Sequence, residues 1–206
     1  MRWGWGAAAI LALGVIYVSS GWVHAGIVAY HLVCLAGIVR HRTSIRPLLG
    51  GAVRTLGWTF ATTLLIVGGL LAPLLFWDPS SIREEAARTL FPAEGRERFF
   101  AVFAAYTLLA HAWIEEVFWR GVFTRPDARP GAAALGNAGA FYLVHAVALG
   151  WALGWTGVVL ALPTAGAGAA WGWVTRRTGS LWPAVVSHYA ADVAILAGMW
   201  IYLVRA

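Results

Sequence analysis

The chain contains no lysine and a single cysteine, and only 12% of its 206 residues are charged. An ordinary soluble domain carries about twice that charge and about 45–50% apolar residues. Here 60% are hydrophobic and the mean hydropathy is +0.71. So little charge excludes a disordered chain, and a globule of this size has too small an interior to hide that much apolar surface. The composition is that of an integral membrane protein with one domain's worth of chain. One cysteine excludes an intrachain disulfide, and Cys34, inside an apolar run, reads as a packed thiol. No small-x-small cleavage site followed by a polar mature domain comes after the first apolar run, which therefore reads as a retained span. The HExxH pattern of soluble zinc proteases is also missing. All basic charge sits on fifteen arginines, against nine acids, for a net charge of +6. Most of them lie at the ends of apolar runs, as positive-inside flanks do, which argues against a nucleic-acid partner.

What is present is a series of apolar stretches at about 4–20, 22–39, 50–77, 99–123, 133–149, 152–175 and 180–204. They predict an all-α, polytopic transmembrane helix bundle of about seven spans, with six to eight allowed. The first two stretches, parted only by Ser19–Trp22, form either a tight hairpin or one long tilted helix. Tryptophans near the predicted ends, among them Trp22, Trp151, Trp155, Trp171 and Trp173, read as interfacial anchors. Arginines at 40, 42, 46, 125, 129, 176 and 177, with Arg2, fall on one face, which predicts a cytoplasmic N-terminus. The polar stretch 78–98 predicts a short surface helix opened by a Ser81/Glu84 capping box, braced by Glu84 and Arg88, and broken at Pro92. It divides N-terminal spans (1–98) from a core (99–206) within one membrane domain. Ala165, Gly168 and Gly172 are small residues about one turn apart, which lets helices approach closely.

Ionisable side chains at mid-membrane cost at least about 2.5–3.5 kcal/mol each. They gather on three spans: His111, Glu115, Glu116 and Arg120 on the fourth, His145 on the fifth, His188 and Asp192 on the seventh. At 1.5 Å per residue, Glu115, His145, His188 and Asp192 all lie about 12–18 Å from one surface, a common layer. Glu115 and Glu116 are about 100° apart on a helix and are expected to face different partners. Glu116 and Arg120 are spaced as an i,i+4 ion pair, a structural role that leaves Glu115 free. His111, one turn before Glu115, is either its orienting partner or, more plainly, a packed histidine. Phe141 sits one turn from His145, and Asp192 one turn from His188, where it is expected to fix the imidazole tautomer. A carboxylate, two imidazoles and a second carboxylate suffice to deprotonate water, hold an oxyanion and protonate a leaving amine. Intramembrane Glu, His and Asp also build proton relays, so a proton-coupled transporter is the alternative in another class. A non-catalytic membrane or immunity protein is the third.

Glu115-Glu116-x-x-x-Arg120, Phe141-x-x-x-His145 and His188-x-x-x-Asp192, in that order on three spans, resemble the motifs of the CPBP intramembrane proteases. These are also known as the CAAX-protease and bacteriocin-processing, or Rce1-like, family. The run from Arg176 to Ala184 resembles the segment that introduces the third motif. The resemblance covers about 100–195. It implies an intramembrane endopeptidase, of glutamic or metallo type, in which Glu115 and His145 activate water while His188 and Asp192 stabilise the oxyanion. The family commonly has Asn at the last position; an ionised Asp192 cannot donate to an oxyanion and must act through His188 or be protonated. Glu115, His145 and His188 also amount to a three-ligand zinc site with an open position, although a metal-free pair of Glu and His suffices. The implied partners are the lipid bilayer and a membrane-anchored protein or peptide substrate. CAAX-type prenyl-protein processing is one candidate role. The absence of lysine beside abundant Ala, Gly, Arg and Trp suggests a GC-rich bacterial genome and favours protein processing or sorting at a bacterial inner membrane.

Overall fold

The computed structural model describes residues 2–71, 86–91, 94–124 and 127–204, and every element among them is helical. Seven long helices follow one another: α1 (Arg2–Ser20), α2 (Val23–Arg40), α3 (Leu56–Leu71), α4 (Arg96–Phe123), α5 (Pro130–Leu160), α6 (Leu162–Thr178) and α7 (Trp182–Val204). The helical region of α3 extended back to Val53, together with α4, α5 and α7, is long and apolar enough to cross a membrane; α1 and α2 are shorter apolar helices. The chain is a membrane-embedded helix bundle whose outer faces carry exposed Val18, Phe60, Leu109 and Leu135.

The N-terminal ambiguity resolves as a hairpin. Gly21 takes a left-handed conformation (φ +67°) that glycine adopts without strain, and Trp22 is extended before α2 begins. Two further Ser–backbone bonds, from Ser19 and Ser20 to the Ile16 carbonyl, close α1. Tyr17 of α1 then lies where a Cβ on Gly26 of α2 would sit, so that glycine lets the hairpin close.

The break expected near residue 150 lies at Leu153 and Gly154, where the backbone leaves helical geometry (Gly154 φ +58°, ψ −141°). Residues 155–160 fold back on the end of α5, bringing Gly157 against the Leu149 carbonyl. A single span over 152–175 is therefore replaced by this return and by α6, which starts only at Leu162, with Pro163 in its first turn. Small residues bring α5 and α6 together as expected. A Cβ on Gly168 would stand 2.5 Å from the Asn137 carbonyl oxygen, and one on Gly172 would stand 2.6 Å from that of Ala133.

Two of the connectors expected on one face, the one after α2 and the one before α7, meet at one end. Leu181 N–H donates to the Leu48 carbonyl at 2.8 Å, Ser180 Oγ to that of Gly50 at 2.7 Å, and the Arg176 guanidinium to that of Arg120 at 2.9 Å. At the other end His24 Nε2 bonds the Leu90 carbonyl at 2.8 Å and Trp22 meets Phe99 edge-on. Within the expected surface helix, residues 86–90 are helical; Ser81, Glu84 and Pro92 lie outside the described residues.

One apolar cluster runs through both halves of the chain, from Ala9, Tyr17, Tyr30 and Cys34 to Phe118, Trp119, Phe141 and Trp171. Trp119 donates its indole N–H to the Tyr30 hydroxyl at 2.7 Å, both side chains being buried. Cys34 is packed here, as its apolar surroundings suggested. Tryptophans 22, 151, 155 and 173 are exposed, whereas Trp171, expected as an anchor, is 2% exposed and belongs to the core.

Candidate active site

Glu115 and Glu116 occupy a short regular helical stretch, Ala112–Glu116, of α4. Wider π-type turns flank it on both sides, Thr107–His111 and Val117–Phe123. Such turns are rare within α-helices and are frequent at functional sites. Both carboxylates are buried, at 1% and 0% exposure.

The two acids reach one common partner, contrary to the expectation from their 100° separation. His188 of α7 donates Nδ1–H to Glu116 Oε1 at 2.8 Å, while its Nε2 stands 3.9 Å from Glu115 Oε2. An imidazole presents its two nitrogens on different edges, so one ring inserted between neighbouring helical positions addresses both. Glu116 therefore does more than neutralise Arg120, whose Nε lies 3.0 Å from Glu116 Oε2. It links that cation to the imidazole and sets the His188 tautomer, the task expected of Asp192. Asp192 Oδ1 is 3.6 Å from His188 Nε2, at ion-pair distance on the other edge of the ring.

The His188 ring is further fixed by stacking on Trp171 (4.5 Å between centroids, 15° between planes). Trp171 is itself anchored by its indole N–H to Ser187 Oγ at 2.7 Å. The Arg120 guanidinium lies 4.7 Å from the Phe141 ring and 5.0 Å from the Trp171 ring, two rings set at right angles to each other, a cation–π arrangement in a dry interior. Phe141 also touches the rings of His145 and His188. His145 donates Nδ1–H to the Phe141 carbonyl at 2.8 Å, which leaves the lone pair of Nε2 for another partner. It lies within electrostatic reach of Glu115.

Around Glu115 the structure adds two groups that the spacing of motifs did not identify, and it decides the place of His111. His31 of α2 places Nε2 3.9 Å from Glu115 Oε1, and Tyr106 of α4 bonds the opposite nitrogen of that ring, Nδ1, at 2.5 Å. His111 Nε2 is 3.7 Å from Glu115 Oε2, so it faces the carboxylate rather than only packing at the start of its helix. Nothing in the periodicity of α2, which also carries His24, singles out His31, an imidazole in an apolar run 84 positions from its partner.

Among the described residues, two groups have donor atoms close enough together for one metal ion: His31–His111–Glu115 and His111–His188–Asp192. The expected set Glu115, His145 and His188 is not one of them. No step through a metal on that set follows.

Two grooves flank α7. One of about 160 Å³ lies against α4, between Leu108, Trp113, Trp182 and Val185. A wider one of about 660 Å³ lies against α3, between Leu64, Val67, Tyr189 and Val193. Neither is lined by Glu115, His145 or His188.

No curated protein and no solved structure matches this chain. Residues 97–194, just under half of it, match the family described as type II CAAX prenyl endopeptidase Rce1-like, and the match begins in the first turn of α4 and ends two residues past Asp192. Residues 97–194, which carry Glu115, Glu116, Arg120, His145 and His188, are thus an Rce1-like domain of the CPBP proteases.

Proposed function

We propose that the chain is an intramembrane endopeptidase that hydrolyses a peptide bond of a membrane-associated protein with water activated by Glu115 and His145. The observation that supports this most is the carboxylate of Glu115, 1% exposed, with imidazole nitrogens of His31, His111 and His188 at 3.7–3.9 Å. A buried acid ringed by imidazoles, rather than paired with an arginine, has a basic oxygen to offer a substrate water.

In this reading His145 Nε2 accepts a hydrogen bond from the water and Glu115 takes its proton as the oxygen attacks the scissile carbonyl carbon. His188, protonated on both nitrogens, keeps Nδ1–H on Glu116 and turns Nε2–H to the oxyanion, which needs donors already in place. Asp192 balances the imidazolium instead of donating. Collapse of the tetrahedral intermediate breaks the C–N bond, and the proton held by Glu115 goes to the departing amine. Glu116, Arg120 and Trp171 act through His188 as positioning residues. The open groove between α3 and α7 favours lateral entry of a membrane-tethered segment, with the arginine-rich end and the N-terminus in the cytoplasm. The substrate is a bacterial inner-membrane protein undergoing processing or sorting rather than a prenylated CAAX end.

The test is a comparison of membrane-protein termini in cells carrying the wild-type chain and cells carrying Glu115→Gln. The reading expects a set of new termini present only with the wild type. Identical termini in both, with both proteins folded, would refute it.

A further inference from the structure

His31 lies outside residues 97–194; neither it nor His111 takes part in the proposed water activation, and with Glu115 they make a set of three donors. Two imidazoles and a carboxylate are a three-ligand zinc set with one coordination position open. The donor atoms lie within 4.8 Å of one another, with His31 Nε2 at 3.9 Å and His111 Nε2 at 3.7 Å from the Glu115 oxygens. Ligands held at about 2.0–2.1 Å in a tetrahedron stand about 3.3 Å apart, so donors spread over at most 4.8 Å need to close by up to about 1.5 Å.

Two of these atoms, His31 Nε2 and Glu115 Oε2, are buried and have no hydrogen-bond partner. Buried polar atoms without partners are uncommon, and two of them within one set of donors call for a ligand. The hydroxyl of Tyr106, on His31 Nδ1, is an outer partner of the kind that orients a metal-binding imidazole. The alternative group, His111–His188–Asp192, shares His111, so the two exclude each other; it offers one unpartnered atom, Asp192 Oδ2, against two.

We propose that His31, His111 and Glu115 bind one zinc-class divalent ion, and that this ion inhibits the enzyme by occupying the carboxylate lone pairs that would take the water proton. The inhibitory consequence rests on the water-activating role of Glu115; the binding site does not.

The full-length chain, purified in detergent and stripped with a chelator, is titrated with zinc, and with cobalt(II) as a spectroscopic probe. The expected result is one ion per chain with the visible absorption of four-coordinate cobalt. His31→Gln and His111→Gln should each weaken binding at least about tenfold, as should Tyr106→Phe, which keeps every ligand, while Asp192→Asn leaves it unchanged. Absence of stoichiometric binding, or binding lost in Asp192→Asn but kept in His31→Gln and Tyr106→Phe, overturns the site. In the same samples zinc should suppress cleavage at the concentration at which it binds, and Tyr106→Phe should shift both midpoints together. If the stripped enzyme is inactive and zinc restores it, inhibition is overturned, and with it the metal-free water activation, while the binding data still stand on their own.

Discussion

Replacing Arg120 separates the structural and chemical roles of the charged layer. Arg120 is 1% exposed, pairs with a carboxylate that is 0% exposed, and lies over two aromatic rings. Arg120→Met keeps most of the side-chain length, so its effect is chiefly electrostatic. Stranding one member of a buried ion pair costs about 3–5 kcal/mol. Removing the acid as well, in Glu116→Leu with Arg120→Met, eliminates that cost but leaves His188 Nδ1–H without its acceptor, at about 1–3 kcal/mol. The double variant should therefore be more stable than Arg120→Met by roughly 2 kcal/mol, measured by equilibrium unfolding in mixed micelles. Its activity should nevertheless stay low, because His188 has lost the carboxylate that orients it. If Arg120→Met unfolds at the wild-type midpoint, the pair is not the buried ionic unit described. If the double variant cleaves at the wild-type rate, Glu116 does not position His188.

The contact between α5 and α6 predicts opposite signs for two adjacent substitutions. Gly168→Ala, whose Cβ meets backbone 2.5 Å away, should destabilise by about 1–3 kcal/mol. Gly166→Ala, with nothing within 4 Å, should stabilise by up to about 1 kcal/mol in the same unfolding assay. Trp171→Phe keeps a ring over His188 but loses the bond to Ser187. It should cost about 0.5–1.5 kcal/mol and lower kcat with little change in KM, whereas an equal loss in a variant distant from His188 would assign Trp171 to packing alone.

The all-helical membrane fold was legible because apolar runs of span length leave few alternatives, and Gly168 and Gly172 announced the tight α5–α6 packing. Helix boundaries were less so. The turn at Leu153–Gly154 depends on a local backbone reversal that hydropathy does not register, and the π-type turns of α4 change the angular step that spacing arguments assume. The convergence of α4 and α7 followed from the common depth of Glu115, His188 and Asp192, but the wiring within it did not. Glu116 reaches His188 because an imidazole has two edges, a possibility that helix angles alone excluded. Trp171 looked like one of many interfacial tryptophans, and His31 like an unremarkable polar residue. Their positions are set by long-range packing of α6 on α7 and of the α1–α2 hairpin on α4, which no local pattern encodes.

The central claim is that Glu115 provides the base that activates water. It is tested most directly by the cleavage rate of purified Glu115→Gln, an isosteric change that removes only the basic oxygen, on a peptide spanning a wild-type-specific terminus, with the unfolding midpoint of the same sample. The account predicts a loss of at least about 10²-fold with an essentially unchanged midpoint; a folded Glu115→Gln that still cleaves at the wild-type rate would contradict it.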